Sequence, residues 1–134
     1  MTGPPSALAP PVPVLVLGDT LLVTLQGELH DGTAQQLQQD ITRRIAHSTA
    51  TGVVIDISGV DIVDSFLGRI LAEIASSAQL LAARTVLAGM RPAVAITLVE
   101  LGLTLPGLST ALDVDRARDL LERPAPTVGA EGGP

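Results

Sequence analysis

Three carboxylates, Asp56, Asp61 and Asp64, stand within nine residues of one another, and Ser65 directly follows the last of them. Such a run offers several chemistries. Three acids at the end of a buried strand could hold a hard cation, or divide into a general acid and a general base. Neither histidine, His30 or His47, lies close in the sequence to complete a ligand set. A simpler reading gives each acid a structural task. An aspartate just before a helix accepts from free backbone N–H groups, and one in a short connection makes a turn. Asp64 is read as the cap and Asp61 as the turn residue.

Ser65 as a nucleophile would need a base, and the G-x-S-x-G elbow is absent. A serine at a helix start can instead accept a phosphate, or do nothing beyond starting the helix. A phosphate adds about −1.5 to −2 charge at pH 7. The positive end of a helix accommodates that anion, so the fold should survive it. With Asp61 and Asp64 beside it, the patch would become strongly negative and repel a docked partner. Thr97 reads as a mid-helix residue near Ala93 and Leu101, its hydroxyl bonded to a preceding carbonyl. His30 and His47 read as surface or capping residues, and Arg91, before Pro92, as a solvated turn residue.

Composition narrows the remaining classes. The chain has 134 residues, the length of one domain. Hydrophobic residues make up 46%, enough for a core. Phe66 is the one aromatic, so bases have no stacking platform. The eight basic residues are all arginine, which removes lysine Schiff bases and phosphate-loop lysines. Neither glycine-rich phosphate-loop pattern occurs. A net charge of −6 repels nucleic acid, and Arg43-Arg44 is the one adjacent basic pair. Without cysteine there are no disulfides and no thiolate chemistry, which suits a reducing cytoplasm. The Pro-rich start has no basic segment of a secretory signal, and no apolar run is long enough to span a membrane. The mean hydropathy of +0.45 implies a well-filled core plus surface committed to partners.

The elements that must position these residues alternate. Val14–Leu17 and Thr20–Gln26 read as strands of a hairpin turning at Gly18-Asp19. Asp31 is expected to cap a helix over Thr33–His47, buried along Leu37, Ile41 and Ile45. The β-branched run in Gly52–Ile57 predicts a central strand buried on both faces. A second helix is expected over Ser65–Ala83, with Phe66, Ile70, Ile74, Ala78 and Leu81 on one side. Thr85–Ala88 predicts a strand ended by Gly89. Pro92 opens a third helix, with Val94, Leu98 and Leu101 facing the core and Gly102 as its stop. Leu108–Ala111 predicts a short edge strand, and Asp113 the cap of a helix over Val114–Glu122. The pattern is α/β: one domain over 13–122 with a mixed, mainly parallel sheet, an antiparallel opening hairpin and about four helices. Residues 1–12 and 123–134 are expected to be disordered Pro-rich and Pro/Gly/Ala-rich tails.

The run from Gly52 through Ile55-Asp56-Ile57, Asp61-Ile62-Val63-Asp64-Ser65 and Phe66-Leu67 resembles the signature of STAS domains, the anti-sigma-factor-antagonist family. Leu17-Gly18-Asp19-Thr20-Leu21-Leu22-Val23 and Gly89-Met90-Arg91-Pro92-Ala93-Val94 through Gly102 resemble its stressosome branch, in particular the single-domain S-type subunit. The likeness covers about Val12 to Leu121. Bipartite antagonists carry a second serine after the acceptor, and Phe66 stands there instead, which favours the stressosome branch. His30 departs from the acidic residue more usual before the first helix.

The resemblance implies a non-enzymatic scaffold without metal or cofactor. Such subunits assemble with R-type STAS subunits and sequester a switch serine/threonine kinase. Phosphorylation then releases the kinase, and a dedicated phosphatase resets the system. Carried onto this sequence, Ser65 is the phosphoacceptor, Asp64 the cap beside it, and Thr97 a candidate second acceptor. The resemblance further implies a homo- or hetero-oligomer in the cytoplasm, away from membranes and nucleic acid. Two other functions remain open. A stand-alone antagonist would bind an anti-sigma-factor kinase one to one, and a small-ligand or nucleotide sensor would be stabilised by its ligand.

Overall fold

Val14–Leu17 (β1) and Thr20–Gln26 (β2) pair antiparallel, with Val14 opposite Val23 and Leu17 opposite Thr20. Their two-residue turn holds Gly18 at φ +61, a conformation that a side chain would strain. The structure is a computed structural model and describes residues 12–27, 29–102 and 107–123. Apart from Val12 and Arg123, the two expected tails lie outside those residues.

The chain continues through α1 (Asp31–Ala46), β3 (Gly52–Gly59), α2 (Ser65–Leu80), β4 (Arg84–Ala88), α3 (Pro92–Glu100), β5 (Leu108–Ala111) and α4 (Val114–Glu122). The five strands lie in sequence order, and every pairing after the opening hairpin is parallel. This is the mixed, mainly parallel α/β sheet that the pattern predicts. Each crossover steps in the same direction across the sheet, and right-handed crossovers then put their helices on one face. Buried residues of α1, α2 and α3 accordingly share one large cluster with Leu21, Val23, Val53, Ile55 and Leu87. The other face is left to α4, which packs on β3, β4 and β5 around Val54, Val86, Ala88 and Ala117. Val54 thus faces one layer while Val53 and Ile55 face the other, as a strand buried on both sides requires.

Several boundaries differ from expectation. Asp31 does not cap α1; it is its first residue, favourable to the helix dipole, and His30 takes the cap position in an extended conformation. β3 runs two residues further, to Gly59. α2 stops at Leu80, short of Ala83. Ala82 turns to φ 63, its N–H donates to the Gln79 carbonyl, and the Ala83 N–H donates to the Ala78 carbonyl. These are the two reversed bonds of a Schellman stop. Leu81 and Leu101, expected in the core, are 39% and 44% exposed. Each is the C-cap of its helix, past the last regular turn, and so leaves the buried stripe. Thr85 is the one buried polar side chain among the described residues, 2% exposed, and its hydroxyl has no hydrogen-bond partner.

Candidate functional site

The segment between β3 and α2 is pinned at two points. Val60 and Val63 are buried, 1% and 5% exposed, so the residues between them must face outward. Ile62 is 83% exposed, and Asp61 lies beside it at the surface. Asp64 then takes an extended N-cap conformation, and its Oδ1 accepts from the Leu67 N–H at 2.9 Å. Its carbonyl accepts the Gly68 N–H at 3.1 Å, the first bond of α2. The expected cap is therefore present. Ser65 is the first helical residue and is exposed, while Leu67 behind it is buried. A phosphate on its hydroxyl would sit at the positive end of a 16-residue helix and displace no core side chain.

The three carboxylates do not converge on one point. Asp56 accepts from the Ser58 N–H at 3.0 Å, Asp64 caps α2, and Asp61 pairs with Arg91. Arg91 is more than a solvated turn residue, although its side chain is 53% exposed. Its Nε donates to the Ser58 carbonyl at 2.9 Å, while its Nη1 reaches Asp61. This contact is not legible in the sequence because its ends lie about 30 residues apart, on different crossovers. The signal that could have found it is the guanidinium just before Pro92, held at the carboxyl edge of the sheet where the acids also gather.

The starts of α1 and α2 face a common open groove of about 540 Å³, lined by His30, Asp31, Asp61, Asp64, Ile62 and Phe66 among others. It joins apolar surface to a carboxylate rim. His30 makes no side-chain capping bond, and His47 is the C-cap of α1. Thr97 sits on α3, and its Oγ1 donates to the Ala93 carbonyl at 3.0 Å, the back-bond its spacing predicts. Thr97 and Ser65 are on different helices, linked through Arg91 at the start of α3 and Asp61 before α2.

Comparison with known proteins matches this geometry to a family. The STAS domain model matches residues 12–117. A serine-to-glutamate variant of RsbS from Moorella thermoacetica is 40% identical, with a TM-score of 0.73, over 83% of this chain and 94% of that one. A chain from a structure of the stressosome is 42% identical, with a TM-score of 0.72, over 82% of this chain and 96% of that one. The RsbT co-antagonist protein RsbRC of Bacillus subtilis is 31% identical over 98 residues, which is 72% of this chain and 35% of that protein. The chain thus spans about a third of the length of that curated relative, but nearly the whole of the structural ones. No helix among the described residues is long and apolar enough to cross a membrane. The chain belongs to the STAS-domain family and is related to RsbS and the RsbR co-antagonists.

Proposed function

We propose that this chain is a scaffold subunit of a stressosome-type assembly that holds a switch serine/threonine kinase and lets it go when Ser65 is phosphorylated. The observation that supports this reading is the exposed Ser65 at the first position of α2, beside the capping Asp64, in a chain similar to RsbS along its folded length. In this reading an R-type STAS subunit co-assembles with it, a dedicated phosphatase resets it, and it acts in the cytoplasm. Kinase docking uses the surface around Asp61, Ile62 and Ser65. Phosphate there adds charge to an already acidic rim and weakens the docking. Thr97 is the candidate second acceptor, and modification there must first free a hydroxyl bonded to its own helix.

The test is site-mapped mass spectrometry after incubation with the switch kinase and ATP, followed by binding measurements. Phosphate on Ser65, together with a Ser65→Asp variant that keeps its circular dichroism but binds the kinase at least tenfold more weakly, supports the switch. Absence of phosphate on Ser65, with the kinase active on another substrate, removes it. A stand-alone antagonist is the second reading. It predicts a one-to-one kinase complex with no larger assembly, and Phe66 in place of a second serine counts against it.

A further inference from the structure

We propose that Arg91 is a positioning residue for the acceptor: it clamps the loop that leads into Ser65 against the start of α3. This rests on the reading of Ser65 as the acceptor. Two arms of one planar guanidinium hold two separate points of the β3–α2 segment. Nε bonds the Ser58 carbonyl at 2.9 Å, at the end of β3, and Nη1 pairs with the Asp61 carboxylate three residues on. A planar fork that grips a carbonyl and a carboxylate together fixes direction as well as distance.

The turn that carries Arg91 is itself seated on this segment. Gly89 has φ +74, and a Cβ there would meet the Ser58 Cβ at 2.9 Å and Asp56 Oδ1 at 3.3 Å. Its N–H donates to the Ala111 carbonyl at 3.0 Å, which ties the same turn to β5. Arg91 is also the N-cap of α3 and carries no other capping role, since its side chain makes no cap bond. Its guanidinium is therefore free to serve the neighbouring loop. Between the clamp and the acceptor lie Ile62, Val63 and Asp64, with Val63 buried as a second anchor. A loop held at Ser58, Asp61 and Val63 presents Ser65 in one place, so a kinase pays less to order it.

The experiment compares the full chain with Arg91→Ala, Arg91→Lys, Asp61→Asn and the Arg91→Ala/Asp61→Asn double variant. Two readouts are taken: kcat/KM for Ser65 phosphorylation by the switch kinase, and amide exchange at Val60 and Leu67, whose N–H groups are bonded within this segment. Arg91→Ala is expected to lower kcat/KM about threefold or more and to speed exchange at both amides, with thermal unfolding little changed. Arg91→Lys should recover only part of the loss, because an ammonium cannot grip both acceptors as a fork. In amide exchange, which does not involve the kinase, the double variant should be no worse than Arg91→Ala alone. A wild-type chain phosphorylated on Ser65 and an Arg91→Ala variant with the same kcat/KM would overturn the proposal, as would single effects on amide exchange that simply add. A wild-type chain that takes no phosphate on Ser65 fails in a different way: it removes the acceptor reading itself.

Discussion

Single side chains carry the local logic of the site, and those whose partners are close in sequence could be read in advance. Asp64 and Asp113 both cap the helices they precede, accepting from Leu67 and Arg116 N–H groups at 2.9 and 2.8 Å. Asp64→Ala should cost about 1 kcal/mol of stability by urea unfolding, while Asp64→Asn should cost much less, because an amide oxygen caps nearly as well. Asp31 shows the limit of that reading: with an acid beside His30 at the chain's entry into a helix, sequence alone could not say which of the two stands outside the first turn. Arg91 shows another, since nothing local to it names Ser58 or Asp61. In the sequence Thr85 is a strand residue and nothing more, yet its hydroxyl is buried without a partner. Thr85→Val keeps the shape and removes the unpaired group, so it should leave stability unchanged or raise it by up to about 1 kcal/mol. A loss of more than that in urea unfolding would mean the hydroxyl is bonded in solution.

At the scale of elements, hydrophobic period fixed which segments form and tight local geometry fixed where they stop. The alternating apolar stripes of α1 and α2 predict their existence, and Leu37, Ile41, Ile45, Ile70 and Ile74 are all buried as expected. The ends were less legible, because helix stops depend on a backbone reversal that several residue types can make. Ala82 makes one at φ 63, where an L side chain crowds its own carbonyl. Ala82→Gly relieves that crowding at the position where glycine is the usual choice. The gain, net of glycine's extra unfolded-state entropy, should be about 0.5 kcal/mol and a rise of roughly 2–3 °C in Tm. A fall in Tm would show that the left-handed turn is not what ends α2. The far end of α4 has a comparable device that sequence pattern did not reveal. Arg84, at the start of β4, donates to the Leu120 and Arg123 carbonyls at 3.3 and 2.8 Å, so a cation meets the negative end of the helix.

The whole molecule is a sheet with two unequal coats, and the inequality follows from connectivity. Three crossovers in one direction commit α1, α2 and α3 to one face, where the large cluster lies; among the described residues only the last, nine-residue helix remains for the other. Ala117 is the one buried residue of α4, and its layer adds Val54, Val86 and Ala88 from the sheet. Gly52 admits this helix closely: a Cβ there would meet Leu121 Cδ1 at 2.7 Å. So little burial cannot hold α4 as firmly as the larger coat holds α1 and α2. Local opening draws on the elements with the least buried apolar surface. Native-state hydrogen exchange should therefore show α4 amides opening at lower free energy than those of α2, β3 and β4. Exchange through a single global event, with α4 protected as well as β3, would contradict this. The consequence for function is positional. The loop from Val60 to Ser65 is rooted through Val60, Val63 and Leu67 in the larger cluster, so α4 can open while the acceptor stays presented.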